Sequence, residues 1–331
     1  MNIDYDFLGA GAPVLVTPKE LIDSSNLSNE GLPWMARESQ IVDLAEEILP
    51  KHGAILFRGF TGGVGNQRFC NEFAKLFGHE LLSYDFGSTP RTDLGEGVYT
   101  ATEYPSHQII PLHNEQAYTL QWPRKIWFHC VIEPEVDGET PIADSRKIYQ
   151  NIPNDIRERF DNKKLLYVRN YGNGLDLPWN KVFNTESRDQ VESFCRQNAI
   201  EYMWKDDGEL KTWQRCQATA QHQITSEWVW FNQAHLFHIS NLEESAREVL
   251  LDIVEPEDLP RNVYYGDGSE IEDSVLDEIR GVLDAETVLF PWQEGDIMML
   301  DNMLFAHGRS TFSGKRKIVV AMADGHDSTQ I

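Results

Sequence analysis

Three apolar runs in the C-terminal third of the chain constrain its fold more than any other feature. They are TVLFPWQ (287–293), DIMMLDN (296–302) and KIVVAMA (317–323), and a Glu-Gly-Asp turn signal separates the first two. Their length and apolar content predict strands. Further strands, rich in aromatic and β-branched residues, are predicted at 54–60, 126–133 and 165–171. Short strands in this number need a sandwich or a barrel to bury their apolar side chains.

Helices are predicted at the start of the chain and between the strands. The first, at 38–50, has apolar residues such as Ile41 and Leu44 recurring at helical spacing. The others are expected at 66–77, 187–198, 241–253 and 270–283. No repeat and no linker rich in Pro, Gly or Ser divides the chain. We therefore expect one α+β domain over 1–331, with a β-core of jelly-roll type.

The charge balance narrows the range of partners. With 29 Lys and Arg against 53 Asp and Glu, the net charge of −24 argues against nucleic acid and against anionic membrane surfaces. We expect neither a signal peptide nor a membrane anchor in the first twenty residues, and the four cysteines form no C-x-x-C pair. We expect a cytoplasmic protein that acts on a small molecule. The sequence does not indicate its oligomeric state.

A candidate metal site lies in the segment Pro111-Leu112-His113-Asn114-Glu115. In an extended strand His113 and Glu115 point to the same side, because side chains alternate between the two faces. His307, which precedes Gly308 near the end of the chain, could supply a second imidazole. Two histidines and one carboxylate form the facial triad of non-haem iron(II) oxygenases.

Other histidines are weaker candidates for this role. His235 and His238 are spaced for one face of a helix, and the aromatic residues around them favour core packing. His107, His129 and His222 have no acid at the spacing that a strand would require. The triad alone would also suit a zinc or manganese enzyme that acts as a Lewis acid in hydrolysis or isomerisation.

A dicarboxylate anchor would separate these alternatives. An oxygenase that uses 2-oxoglutarate must hold a carboxylate deep in its pocket, and arginine does so best because its fork binds a carboxylate through two hydrogen bonds. Arg316, nine residues after His307, precedes an apolar strand, and Thr140 could add a hydroxyl. Taken singly, Arg316 could equally be a solvated cation and Thr140 an ordinary turn residue.

Six segments together resemble the taurine dioxygenase (TauD/TfdA) family of iron(II)/2-oxoglutarate oxygenases. The resemblance extends from about residue 50 to 325 and is closest to the SyrP-like branch, which is associated with amino-acid hydroxylation in natural-product pathways. The segments are IPLHNEQAY (110–118), GETPIADSR (138–146), VWFNQAHLFH (229–238), PRNVYYGDGS (260–269), GDIMMLDNMLFAHGR (295–309) and FSGKRKIVVAM (312–322).

The resemblance implies a double-stranded β-helix core with flanking and inserted helices, and a dioxygenase that consumes 2-oxoglutarate and O2. It implies that His113, Glu115 and His307 bind Fe(II) and that Thr140 and Arg316 bind 2-oxoglutarate. Many relatives have a second arginine four residues after the first, where this chain has Val320. Arg309 is a candidate to replace it.

The resemblance also bears on the outcome of the reaction. Related halogenases have a small residue where this chain has Glu115, so we expect oxygenation, most simply hydroxylation, with desaturation and epoxidation left open. The expected substrate is an amino acid or a related small polar acid, either free or tethered to a carrier protein. Its candidate ligands are Arg91, Glu103, Asn114 and Asn232.

Overall fold

The structure of the protein is a computed structural model. It describes residues 6–7, 9, 11–17, 38–60, 66, 68–83, 91–102, 104–172 and 174–328. The strands in this part of the chain are β1 Asp6–Phe7, β2 Val14–Val16, β3 Ala54–Phe57, β4 Val98–Thr100, β5 Ile110–His113, β6 Gln121–Ile132, β7 Val136–Asp137, β8 Ile142–Asp144, β9 Leu165–Tyr171, β10 Glu201–Trp204, β11 Leu210–Cys216, β12 Thr219–Gln221, β13 Trp228–Trp230, β14 Arg261–Tyr265, β15 Ile297–Asp301, β16 Phe305–Arg309, β17 Phe312–Ser313 and β18 Lys317–Asp327.

The helices lie before β3, before β4 and in the long insertion between β8 and β15. Within the described residues they are α1 Glu38–His52, α2 Phe69–Lys75, α3 Ser145–Asn151, α4 Asn154–Lys163, α5 Trp179–Val182, α6 Arg188–Gln197, α7 Ala234–Phe237, α8 Glu244–Ile253 and α9 Asp273–Ala285. None of these helices has both the length and the apolar character that a membrane span requires.

Two sheets form the core. Among the described residues, the larger has seven strands in the order β1-β2-β3-β15-β6-β18-β4, and the smaller has three in the order β5-β16-β8. A separate four-stranded sheet, β10-β11-β9-β14, belongs to the insertion. The predicted α+β fold with a jelly-roll core and with flanking and inserted helices is therefore confirmed.

Apolar side chains point alternately to the two faces of the large sheet, and both faces are therefore buried. In β3, Ile55 and Phe57 pack in the cluster that α1 and α2 cover, whereas Ala54 and Leu56 pack in the cluster shared with the small sheet. This period-two pattern places one apolar layer under the helices and a second layer between the two sheets. The small sheet, which carries His113 and His307, is thereby packed against the large sheet.

The strand predicted at 287–293 is wrong. The described structure has only an isolated bridge there, in which Val288 and Ile142 exchange two backbone hydrogen bonds of 2.8 and 3.0 Å. Beyond it, Pro291 lacks the N–H that a ladder needs. The indole of Trp292 donates to Thr140 Oγ1 over 3.1 Å. A side chain therefore fixes the position of this segment beside the small sheet.

Candidate metal centre

Two neighbouring strands bring the candidate histidines together. His113 at the end of β5 and His307 in β16 are direct partners in an antiparallel ladder, and their ring centroids are 4.5 Å apart. The glycine after His307 permits this approach, because a Cβ on Gly308 would lie 2.5 Å from the carbonyl oxygen of Ile110. The H-G-R sequence thus allows two main chains to approach closely at the site.

Glu115 reaches the same point from a turn. The extended strand that the sequence predicts through Glu115 ends at His113, and Gln116 has a φ of 56°. Glu115 Oε2 nevertheless lies 3.7 Å from His307 Nε2. The donor atoms of His113, Glu115 and His307 lie within 4.8 Å of one another, and this is the only such group of three found among the described residues.

The protonation of these residues suits a divalent cation. Burial, and then the neighbouring His307, lowers the pKa of His113 to about 3, so this imidazole is neutral at physiological pH. Its Nδ1 donates to the carbonyl of Pro111 over 2.9 Å, which leaves the lone pair on Nε2. Two imidazoles and an ionised carboxylate, with Glu115 and His307 buried and His113 half-buried, are the donor set that iron(II) takes in facial triads.

Arg91 contacts the carboxylate of this triad. Its Nη2 donates to Glu115 Oε2 over 2.6 Å, and the two side chains are only 3% and 4% exposed. Burial alone would raise the pKa of Glu115, but the charge of Arg91, and then the nearby His307, outweigh it and hold that pKa well below its usual range. Glu115 is therefore an anion throughout the physiological pH range.

A cavity of about 30 Å³ opens beside the triad. Its apolar wall includes Phe128 and Ile318, and His113 and His307 also line it. Three of the described lining residues are arginines and none is acidic; the arginines are Arg91, Arg309 and Arg316. A concentration of positive charge in a largely apolar pocket favours an anionic ligand.

Arg316 and Thr140 meet in this cavity. Arg316 Nη2 lies 3.5 Å from Thr140 Oγ1, and Arg316 Nε donates to the carbonyl of Gly138 over 2.8 Å. Burial, and then the nearby Arg309, lowers the pKa of Arg316 to about 10, which still leaves it charged. The two predicted anchor residues are thus adjacent, and their role in binding 2-oxoglutarate stays a prediction.

Arg309 lines the cavity but has other partners. Its guanidinium donates to the carbonyls of Tyr104, Pro105 and Gln108 over 2.7 to 2.9 Å. These bonds hold the loop that precedes β5. Val320, at the position of the second family arginine, is fully buried between the two core sheets. Arg309 therefore fixes a loop at the cavity, and its role in binding the co-substrate stays a prediction.

The predicted substrate ligands are dispersed. Arg91 lies in the cavity, whereas Glu103 lies outside the described residues. The side chain of Asn114 donates to the carbonyl of Asn302 and to Ser145 Oγ. Asn232 donates to the carbonyl of Ala218 and accepts the N–H of Ala234 at the start of α7. Because both asparagine amides have main-chain partners, only Arg91 of this set enters the proposal below.

Sequence reasoning missed the residues that hold the metal segment in place. Asn302 Oδ1 accepts the N–H of Glu115 over 2.7 Å, and its Nδ2 donates to the Glu115 carbonyl over 2.9 Å. Gln233 Nε2 donates to the carbonyl of Asn114, and His235 Nε2 bonds the carbonyl of Leu112. His235 thus supports the metal segment from behind, and the only signal for Asn302 was its position five residues before His307.

We expect Asn302→Ala to weaken metal binding by roughly 10–100-fold, the usual effect of losing a partner that orients a ligand. The change removes both hydrogen bonds to the Glu115 main chain, so the carboxylate loses its fixed position. Manganese(II) titration of the apoprotein measures the effect. The matched control is Asn170→Ala, which removes an equally buried amide that holds the carbonyls of Glu257 and Leu259. Wild-type metal affinity in Asn302→Ala, or an equal loss in the control, would contradict this expectation.

A family model and two known proteins match most of the chain. The family model described as taurine catabolism dioxygenase TauD, TfdA family matches residues 23–322. The chain is 41% identical over 279 residues to the dapdiamide synthesis protein DdaC of Enterobacter agglomerans, with 84% of each chain covered. It is 30% identical over 288 residues to a clavaminate synthase-like protein of Arabidopsis thaliana, with 84% of this chain and 83% of the relative covered.

Solved structures agree at the level of the fold. The PvcB protein of Pseudomonas aeruginosa superposes with a TM-score of 0.52 at 14% sequence identity, over 95% of this chain and 87% of that one. Its structure is described as that of an Fe, alpha-ketoglutarate dependent oxygenase from an isonitrile synthetic pathway. The likeness thus spans nearly the whole chain and shows a shared fold.

Proposed function

This chain belongs to the TauD/TfdA family of iron(II)- and 2-oxoglutarate-dependent dioxygenases, and we propose that it hydroxylates an amino acid or a closely related small polar acid in natural-product biosynthesis. The observation that carries the proposal is the cluster of His113, Glu115 and His307 beside a cavity lined by arginines. The likeness to a dapdiamide synthesis protein supports a biosynthetic substrate.

The metal would be held by the two imidazoles and the carboxylate. Iron(II) at this point, with 2-oxoglutarate and O2 as co-substrates, supplies the oxidising chemistry that side chains lack. The protein contributes the neutral imidazole of His113, fixed in orientation by its bond to the Pro111 carbonyl, the imidazole of His307, and a carboxylate that stays ionised. Holding three donors of this kind in place before the metal arrives limits the reorganisation that binding requires.

The co-substrate would be anchored by Arg316 and Thr140. A dicarboxylate that reaches from the metal towards Arg316 would find a guanidinium and a hydroxyl within 3.5 Å of each other. A hydrolase or isomerase with the same metal ligands has no need of such an anchor. This pair therefore favours the oxygenase over the Lewis-acid alternative.

The walls of the cavity would exclude water from the reacting atoms. Phe128 packs against the ring of His307 with centroids 4.9 Å apart, and Ile318 and Ala101 line the same space. An oxidising reaction in a pocket that excludes water is directed to the bound substrate, because few other groups are within reach. The protein would thus position the substrate and protect the reacting atoms from water.

The charge of the cavity favours an acidic substrate. Two carboxylates of 2-oxoglutarate would satisfy Arg316 and the metal, while Arg91 adds a further positive charge close to the triad. A substrate carboxylate approaching this end would be attracted, and an uncharged analogue would lose that attraction. We propose that Arg91 contributes to recognition of the acid.

The expected result of a substrate panel follows from this charge. Free amino acids, and the same amino acids tethered to a carrier protein, are incubated with Fe(II), ascorbate and 2-oxoglutarate, and succinate is measured. We expect at least one amino acid to stimulate succinate formation and to yield a product heavier by one oxygen atom. Its methyl ester and the amine without its carboxylate are the matched controls, and both should stimulate at least about tenfold less.

One outcome of the same substrate panel would refute the proposed substrate class. If a sulfonate or an aryloxy acid stimulated succinate formation while every amino acid stayed at background, the amino-acid proposal would fail. If the tethered form were active and the free form inactive, the proposal would stand with a carrier protein as the partner that presents the substrate.

A further inference from the structure

Arg91 lies between the cavity and the metal carboxylate, and we propose that it makes metal binding depend on the arrival of an anion. In this inference Arg91 is a positioning residue that opposes the metal when the site holds no anionic ligand. Once a dicarboxylate or an acidic substrate neutralises the cavity, the opposition is reduced. The inference rests on the proposed function for its anions, and on the geometry of Arg91 and Glu115 alone for its effect on the metal.

Arg91 and His307 lie beside the same carboxylate oxygen of Glu115. Arg91 Nη2 donates to Glu115 Oε2, and this is the same oxygen that lies 3.7 Å from His307 Nε2. The carboxylate oxygen nearest the histidine is therefore the one that the guanidinium contacts. A metal ion that binds the carboxylate through this oxygen, the one nearest to His307, would share it with Arg91 or displace the guanidinium.

The side chains of Arg91 and Glu115 differ in their position relative to the cavity. Arg91 is among the described residues that line it, whereas Glu115 is not. The guanidinium thus screens the carboxylate from the side on which ligands would enter. Both side chains are almost fully buried, so solvent does little to weaken their mutual attraction.

The charge of Arg91 should oppose the binding of a metal ion at Glu115. A divalent cation beside Glu115 is repelled by the fixed positive charge of Arg91, and it must compete with that charge for the carboxylate. Removing the charge should therefore tighten metal binding at pH 7.5. A residue that merely supported the structure would act in the opposite direction, because its loss would loosen the triad.

An anion in the cavity should reduce the effect of Arg91 on metal binding. Arg91, Arg309 and Arg316 surround a space in which no described lining residue is acidic. An anion placed there offsets the repulsion between Arg91 and the metal, so it should help the wild type more than a variant that lacks this charge. Metal, co-substrate and acidic substrate would then stabilise one another in the site.

The experiment is a titration of the apoprotein with Mn(II), followed by the EPR signal of the free ion, without any turnover. The variants are Arg91→Gln and Arg91→Met, which remove the charge at similar length, and Arg91→Lys, which keeps it. We expect the Gln and Met variants to bind Mn(II) at least about tenfold more tightly than the wild type, and the Lys variant to bind within about threefold of it. Arg169→Gln, at a buried arginine that does not line the cavity, should leave the affinity unchanged.

A second arm repeats the titration with N-oxalylglycine, a stable analogue of 2-oxoglutarate. We expect the advantage of Arg91→Gln over the wild type to shrink when the analogue is present. Equal or weaker Mn(II) binding by both neutral variants, each shown to be folded by circular dichroism, would overturn the inference. If the analogue changed Mn(II) affinity in no protein, the proposed co-substrate would fail, whereas tighter binding of Mn(II) alone by the neutral variants would still support the role of Arg91.

Discussion

Replacing His307 with alanine is expected to remove metal binding and turnover while the protein stays folded. The described chain offers three clustered donors, and the loss of one leaves a single imidazole and a carboxylate. We expect metal affinity to fall by more than about a hundredfold, beyond the roughly 10–100-fold typical of residues that only orient a ligand. His113→Ala and Glu115→Ala should behave in the same way. Metal content after dialysis and succinate formation measure the effect.

The matched control for this experiment is His129→Ala. His129 is equally buried, but it lies on the helix side of the large sheet, where its ring packs 5.5 Å from that of Phe69. Its loss should lower the free energy of unfolding without changing metal affinity, since no metal donor is removed. Wild-type turnover in the His307→Ala protein would sink the assignment of this triad.

Removing the guanidinium of Arg316 is expected to weaken 2-oxoglutarate binding severely. Leaving one partner of a buried ion pair without the other typically costs roughly 3–5 kcal/mol. At about 1.4 kcal/mol per tenfold, Arg316→Ala should bind 2-oxoglutarate on the order of a few hundredfold less tightly. Arg316→Lys should restore only part of the affinity, because an ammonium cannot present two parallel hydrogen bonds to one carboxylate. The measurement is the apparent affinity for 2-oxoglutarate at fixed metal.

Two further variants locate the anchor more closely. Thr140→Val should cost less, on the order of 1–2 kcal/mol for one hydrogen bond to a charged group. Lys315→Ala removes an exposed cation that is adjacent in sequence and does not line the cavity, so it should leave binding unchanged. If Arg316→Ala bound 2-oxoglutarate as well as the wild type, the anchor would lie elsewhere, and Arg309 would be tested next.

The sequence was most informative where local pattern and chemistry coincide. Strand β18 was predicted from the apolar content of its sequence, helix α1 from apolar periodicity, and the pairing of His113 with Glu115 from their spacing. Even so, the reason given for that pairing was only partly right, since the strand ends at His113 and a turn brings Glu115 to the site. The predicted strand at 287–293 failed because apolar composition does not reveal whether a neighbouring edge is available for a ladder.

The supports of the site could not be predicted in the same way. Asn302 acts through the main chain of Glu115, and Arg309 through the carbonyls of a loop. Such contacts depend on which backbone groups the fold leaves without a ladder partner, and a sequence pattern does not record this. The pairing of Arg91 with Glu115 likewise depends on a tertiary contact between residues 24 positions apart.

The two hydrogen bonds between Asn302 and Glu115 also bear on how the chain folds. They join residues that are 187 positions apart, so the enclosed loop must close before either bond can form. Contacts of such high sequence separation are slow to form, and we expect the metal donors to converge late in folding. A partly folded chain would then have little affinity for iron. This order of events would keep a redox-active ion away from polypeptide that has not yet closed around it.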